Sequence, residues 1–390
     1  MSAAATEHSA PPASPTPRLA LVLCGGGATG AAYEVGVLAG LEASIPGFRV
    51  EAFDIFVGTS AGALIATFMA SGVSVTRFFN ALVTSDDFFP LRRSDVYGFD
   101  SGETLAKIGH IARFVFRTTL IARHDPVGFL NGVDPAALSR ALPDGLFSLR
   151  AYQRFIERFM ERNDLPRYFE QIDAHLLIPA NNLDTAHREV FGRGYRLDAG
   201  LSQAIIASSA IPLFFNPVRI GDSDLIDGGS GKVAHVDLAH AAGATHTLVI
   251  NPVVPWNLDR RLTQMSLQGE ELGELVRIRQ RGMLGVWNQS FRISTAARLE
   301  MGLRAFQVAH PATGLALIAP SELDETLFVT NPMNTAARAL VAQRAYDSTV
   351  ARVRGVHGDA IRAVCLGHPD ASQVDGIPNS DEEWRTRSRV

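Results

Sequence analysis

Two apolar runs constrain this chain more than anything else in it. Leu19–Leu23 and residues 53–57 are each continuous, with only Asp54 breaking the second, and each ends in a glycine-bearing turn that passes into helical spacing. A short run apolar at nearly every position is the pattern of a strand buried on both faces. Strand, turn and helix in succession, twice over, predict a parallel sheet with helices on its two sides. After the first turn, Tyr33, Val37, Leu38 and Leu41 recur at helical spacing. After the second, residues 61–71 form a helix that is small and apolar on most faces.

The remaining chain continues the alternation. Residues 76–170 read as mostly helical, with loops around 125–131 and 143–148. Residues 175–179 and 189–191 read as strands, 201–210 as a helix stopped by Pro212, 224–226 as a strand entering Asp-Gly-Gly, and 247–251 as a further strand. The expected fold class is α/β, a three-layer α/β/α sandwich around a mainly parallel central sheet. Residues 1–17 are rich in Ala, Ser and Pro without periodicity and read as a disordered arm. Residues 366–390 read as a second disordered tail. One domain is expected over 18–365, with its motifs in 18–255 and a helical part in 260–365.

Bulk properties exclude some classes. A net charge of −4 over 390 residues lacks the basic excess of nucleic-acid binders. Two cysteines, Cys24 and Cys365, make neither a disulfide framework nor a zinc cluster. Residues 19–24 are too short for a signal-peptide core, and glycines end them. No run reaches the roughly 20 apolar residues of a spanning helix. The expected location is cytoplasmic, with peripheral membrane contact as an option. The oligomeric state stays open.

Three motifs carry chemistry. Gly58-Thr59-Ser60-Ala61-Gly62 lies between a strand and a helix. A nucleophilic serine must project from a tight turn, so glycines two positions to either side relieve crowding, and the helix N-terminus favours developing negative charge. Gly25-Gly26-Gly27-Ala28-Thr29-Gly30 also follows a strand and opens a helix. Such a run lets backbone N–H groups converge into an anion nest. The anion is either a dinucleotide pyrophosphate, since Gly25, Gly27 and Gly30 match that fingerprint and Glu51 lies near the ribose-binding distance, or the oxyanion of a tetrahedral acyl intermediate. A serine turn on the very next strand favours the oxyanion. Asp227-Gly228-Gly229 is by itself a turn; as chemistry, Asp227 takes the proton of Ser60, with burial raising its basicity. His175, His187, His235, His240, His246 and His310 are the candidates for a triad histidine, and nothing around them singles one out. No histidines or acids stand at metal-ligand spacing, and no cofactor is expected.

In this order the motifs GGGATG, GTSAG and DGG resemble the patatin-like phospholipase family, in its bacterial form. GAAYEVGVLAGLE resembles the family's first helix, ASSAIPLFFNPV the segment leading to its aspartate, and GVDPAALSRAL its middle loop and helix. The resemblance implies a Ser–Asp dyad without catalytic histidine. Ser60 then becomes the nucleophile and Asp227 the proton acceptor. The N–H groups of Gly26 and Gly27, with Gly25 or Ala28, become the oxyanion hole. Gly30, Gly58, Gly62, Gly228 and Gly229 complete the motifs. The implied substrate is a lipid or other fatty-acyl ester, as for a phospholipase A or lysophospholipase. Esterase, thioesterase or acyltransferase chemistry on other substrates is the alternative, as is non-catalytic lipid or nucleotide binding on the same fold. Two departures stand out: Thr29 replaces a usual Arg or Lys, and Lys232 and His235 stand where many members have Asn-x-Pro.

Two basic amphipathic stretches remain. Residues 106–124 carry Lys107, Arg113, Arg117 and Arg123 without an acid. A second carries Arg277, Arg279, Arg281, Arg292, Arg298 and Arg304 with Leu284, Trp287 and Phe291. The preferred reading of both is a helix packed on the core with a solvated basic face; the other is a helix lying on an anionic membrane.

Overall fold

The computed structural model describes residues 16–84, 86–96, 109, 144–257, 277–320, 337–355 and 358–368. The arm before residue 16, most of the middle helical expectation including GVDPAALSRAL, the 106–124 stretch apart from Gly109, and the tail beyond 368 lie outside the described residues.

β1 (Leu19–Leu23) is buried at every position, as its continuous apolar run demands. Leu19, Leu21 and Leu23 enter one hydrophobic cluster and Ala20 and Val22 enter the other, because successive side chains of a strand point to opposite faces. Two cores on the two faces of one strand make a three-layer architecture. α1 (Gly27–Ser44) and α2 (Ala61–Ala70) cover the first face. α3 (Val75–Thr84) packs beside them, and a short α4 (Arg93–Val96) follows. β2 (Ile55–Gly58) pairs with β1 in parallel.

β3 (Gly145–Phe147) and α5 (Arg150–Arg162) lead to β4 (His175–Asn182) and its antiparallel partner β5 (Arg188–Gly192). Then come α6 (Leu201–Ser208), β6 (Leu213–Phe215), β7 (Val218–Ile220), β8 (Ser223–Asp227), α7 (Val236–Ala241) and β9 (His246–Ile250). α8 (Gly282–Ala309), β10 (Gly314–Ile318), α9 (Arg338–Arg354) and α10 (Gly358–Leu366) complete the described chain. Val236 and Leu238 of α7 and Leu299, Leu303 and Phe306 of α8 fill the second core.

The main sheet runs β10-β9-β1-β2-β4-β8-β7, with β5 also on β4. From β10 to β4 every pairing is parallel; beyond β4, β8, β7 and β5 are antiparallel. The expectation of a mainly parallel sheet therefore holds for its centre, and the flank is mixed. The three-residue strand β3, which pairs with β6 in a separate two-stranded sheet, falls where a loop was expected at 143–148. Cys24 and Cys365 are free and buried.

Where the two halves of the first core meet, α1 and α9 touch backbone to backbone. A Cβ at Gly36 would stand 2.3 Å from the Ala342 carbonyl oxygen, and one at Gly40 would stand 2.9 Å from Thr349 and the Tyr346 carbonyl. Glycine inside a helix costs about 1 kcal/mol relative to alanine, and here that cost is offset by this close approach. Gly36→Val is expected to lower unfolding stability by about 1–3 kcal/mol through overpacking, measured by denaturant titration. A neutral result would mean the two helices separate without penalty.

Candidate active site

The strand order brings three turns together. β4 is the splint. Leu177 pairs with both Val57 of β2 and Gly192 of β5, and Ala180 pairs with both Asp227 of β8 and Glu189 of β5. A strand has two edges, so β2 and β8 share one edge of β4 and point at each other. Their C-terminal ends meet beside Pro179. That places Ser60, two residues past β2, against Asp227, the last residue of β8.

Ser60 sits between strand and helix with φ 57° and ψ −128°, a region costing a non-glycine residue about 1–3 kcal/mol. The turn is held on every side. Thr59 N–H donates to the Leu23 carbonyl at 3.0 Å, Gly62 N–H to the Thr59 carbonyl at 2.9 Å, and Ala63 N–H to the Ser60 carbonyl at 2.9 Å. Ser60 N–H itself donates to Ser208 Oγ at 3.0 Å, and Ser208 Oγ donates to the Pro179 carbonyl at 2.7 Å. This one hydroxyl thus satisfies two buried backbone groups in the gap between the C-terminal ends of β2 and β8.

The glycine loop packs directly on this turn. A Cβ at Gly25 would lie 2.4 Å from the Thr59 carbonyl oxygen, and one at Gly62 would lie 2.6 Å from the Leu23 carbonyl oxygen. Gly25, Gly26 and Gly27 all have positive φ, at 81°, 118° and 70°. Ala28 lines the cleft beside Ser60. Gly30 N–H closes the first helical turn on the Gly26 carbonyl at 3.1 Å. The N–H of Gly25 points inward, donating to Glu34 Oε1 at 2.9 Å; this leaves Gly26 and Gly27 as the motif's outward candidates for an anion. Thr29 is fully buried in the first turn of α1.

The Asp227 carboxyl accepts a hydrogen bond from Gly229 N–H at 2.7 Å and faces the Ser60 hydroxyl. Burial pushes its pKa up to about 6, against the opposing pull of the Ser60 hydroxyl and the Gly229 N–H. Around it, Asn181 Nδ2 donates to the carbonyls of Asp227 and Gly228 at 2.8 and 3.0 Å. Arg298 donates to the carbonyls of Ser230 and Gly231 at 2.6 and 2.5 Å. Gly228 passes so near Pro179 that a Cβ would lie 2.4 Å from its carbonyl oxygen. Lys232 and His235 close a separate network. Arg188 forms a two-pronged bond to Asp237 at 3.1 and 2.8 Å, Lys232 Nζ lies 3.0 Å from the same carboxylate, and Arg188 Nη1 lies 3.0 Å from His235 Nδ1. Burial first, then the Arg188 charge, hold the His235 pKa down near 3, so it stays neutral.

Ser60 opens onto an apolar cleft. Leu64, Ile65, Phe78, Leu82, Phe89 and Phe215 form much of its wall. Its unfilled space is about 650 Å³, the open mouth included. Among the described residues no histidine lines it. His175 bonds to the Arg193 carbonyl, His187 is exposed, His246 bonds to the His368 carbonyl, and His240 lies against His310 with ring centroids 3.9 Å apart and planes tilted by 36°. Among the described residues no cluster of three histidines, cysteines or acids could hold a metal ion.

With this geometry, the sequence match decides the family. The sequence model of the patatin-like phospholipases matches residues 21–239, more than half of the chain. The chain belongs to the patatin-like phospholipase family. The match runs from β1 through α7 and includes all three turns. A relative described as probable lipid hydrolase 463L, from Invertebrate iridescent virus 6, is 22% identical over 225 residues, spanning 56% of this chain and 62% of its own length. Among solved structures, VipD from Legionella pneumophila is 14% identical with a TM-score of 0.35, covering 95% of this chain and 73% of its own. ExoU in its heterodimeric complex with SpcU, from the type III secretion system of Pseudomonas aeruginosa, is 18% identical with a TM-score of 0.28, covering 95% and 65%. Both superpositions are loose, and the family assignment rests on the sequence match.

Sequence reasoning passed over Ser208, Asn181 and Glu34. Glu34 left a signal: it is the one charge between Gly25 and Leu41. It is fully buried, and burial drives its pKa well above the ordinary carboxylate value, outweighing the Gly25 N–H bond. A carboxyl whose pKa is raised by folding supports stability below the unfolded value of 4.5 and loses that support as pH rises through the folded value. Glu34→Gln removes this loss while keeping an oxygen for Gly25 N–H. Its melting temperature is therefore expected to match wild type below pH 4.5 and to exceed it increasingly above. Parallel melting curves at all pH values would show that Glu34 does not titrate between the two states.

Proposed function

We propose that the protein is a lipid acyl hydrolase that cleaves fatty-acyl esters through Ser60 and Asp227. The observation that carries this reading is a serine held at positive φ with its hydroxyl facing a buried carboxylate whose pKa is raised to about 6, at the edge of an apolar cleft. The viral relative's description as a probable lipid hydrolase supports the same class.

Chemically, a carboxylate with an ordinary pKa is too weak a base for a serine hydroxyl. Raising it toward neutrality improves proton transfer while leaving it ionised at pH 7. Ser60 Oγ attacks the ester carbonyl carbon as its proton passes to Asp227. The carbonyl oxygen gains negative charge and is met by the N–H groups of Gly26 and Gly27, near the positive end of α1. The C–O bond to the leaving alcohol then breaks and the Asp227 proton goes to that oxygen, leaving an acyl-enzyme. A water molecule, giving its proton to Asp227, attacks the acyl carbonyl; the fatty acid departs and the proton returns to Ser60. Each backbone donor is held before substrate arrives, so no reorganisation is required at the moment of charge development. The apolar wall favours an acyl chain over the polyanionic pyrophosphate of a dinucleotide, which would have to be desolvated there.

Hydrolysis of a chain-length series of p-nitrophenyl esters and of phospholipid vesicles tests this. Ser60→Ala and Asp227→Asn are expected to lower kcat by on the order of 10³-fold or more while remaining folded. Since Asp227 acts in its ionised form, wild-type kcat/KM is expected to rise with pH through about 6. Full activity of Ser60→Ala would overturn the reading.

A further inference from the structure

The second basic stretch is only partly absorbed by the fold. From Arg277 to Leu299 the chain carries five arginines and no acid; Glu270, Glu271 and Glu274 precede it outside the described residues. Two of the five, Arg292 and Arg298, anchor backbone carbonyls. Arg292 is buried and donates to the Val254 carbonyl at 2.9 Å, and Arg298 holds the turn after Asp227. Arg277, Arg279 and Arg281 are exposed. They stand at the start of α8, and the first turns of that helix turn apolar side chains outward: Met283 is 78%, Val286 50% and Ile293 54% exposed. At 100° per residue these three fall within one face, opposite the buried Arg292 and Leu299. A helix in a water-soluble layer normally reverses this pattern, with its apolar stripe inward and polar residues outward.

This face is continuous with the cleft. Trp287 packs on Phe214, ring centroids 5.4 Å apart, and stacks on Phe291 at 5.5 Å. Phe214 adjoins Phe215, which lines the cleft together with Ser60. Leu213, next along, is 40% exposed at φ 76°. Arg281 lies over the Trp256 ring at 4.6 Å. Cationic, aromatic and outward apolar groups are thus gathered on one rim.

We propose that the N-terminal half of α8, with the turn before it, is the surface by which the protein docks on an anionic lipid bilayer. Arg277, Arg279 and Arg281 meet headgroup phosphates, Met283, Val286 and Ile293 enter the acyl boundary, and Trp287 links that boundary to the cleft. Single-sign charge selects an anionic surface, and outward apolar side chains need a medium that removes them from water. An acidic soluble partner would satisfy the arginines alone. The inference rests on the reading of the cleft as a lipid-ester site, and it names the surface from which that site is supplied.

The test is co-sedimentation with vesicles of phosphatidylcholine alone and of equal parts phosphatidylcholine and phosphatidylglycerol, at low and high salt, beside hydrolysis of a soluble short-chain ester. Wild type is expected to bind the mixed vesicles preferentially and to lose binding with salt. The double variants R277E/R279E and M283E/V286E are each expected to bind roughly tenfold or more weakly, with soluble-ester hydrolysis unchanged. Equal binding of wild type and both variants, or no preference for phosphatidylglycerol, overturns the docking surface. Self-association of lipid-free wild type that M283E/V286E abolishes assigns the face to a second copy and also overturns it. A wild type that binds mixed vesicles but hydrolyses no ester counts against the site reading and not against the surface.

Discussion

Everything at the candidate site depends on two turns pressed together at backbone distance. β1 and β2 are parallel neighbours, so their C-terminal turns must share one edge of the sheet. The contact between Gly25 and Thr59, and between Gly62 and Leu23, leaves no room for a Cβ on either glycine. This proximity aims the glycine loop at Ser60. On the other side of the loop, Gly25 N–H donates to the buried Glu34 carboxyl at 2.9 Å. A buried acid that accepts one backbone bond is a compact way to anchor a loop of three residues at positive φ.

The second dependence is the change of direction at β4. A sheet parallel throughout would place all its strand ends along one line. Here β8 returns antiparallel on the edge that β2 has just vacated, and two strand ends face each other across Pro179. Two groups in the gap lack a ladder partner, the Ser60 N–H and the Pro179 carbonyl, and Ser208 satisfies both. Asn181, projecting from the same strand, binds the carbonyls of the Asp227 turn. The strain at Ser60 persists because these bonds over-determine it. Burial of the Asp227 carboxyl follows from the same crowding, and the raised pKa follows from burial.

Much of the fold was legible because burial on two faces leaves a continuous apolar run, as in Leu19–Leu23, and because a helix after a glycine turn shows its period at once. Ser60 and the glycine loop were legible for the same reason: their logic is local. Asp227 was singled out from Asp-Gly-Gly, by itself only a turn, and its role as proton acceptor drew its weight from the resemblance. The antiparallel flank was not foreseen, because an apolar run carries no sign of strand direction. β3 and β6 are too short, at three residues each, to show any period. Ser208 and Asn181 act across 148 and 46 residues of chain, and no local pattern marks a contact that exists only once the sheet has formed. α8 departed from expectation in a different way: its basic residues divide between buried anchors and an exposed rim, and the outward apolar face is visible only when the helix is seated.

The central claim is that Ser60 is a nucleophile activated by Asp227. The most direct measurement is covalent labelling with a long-chain alkyl fluorophosphonate, followed by intact-mass and peptide mapping. The expected result is one adduct per chain, on Ser60, formed far more slowly in Asp227→Asn. Folded wild-type protein that takes no adduct, takes it at another residue, or is labelled at the same rate without the Asp227 carboxylate would contradict the claim.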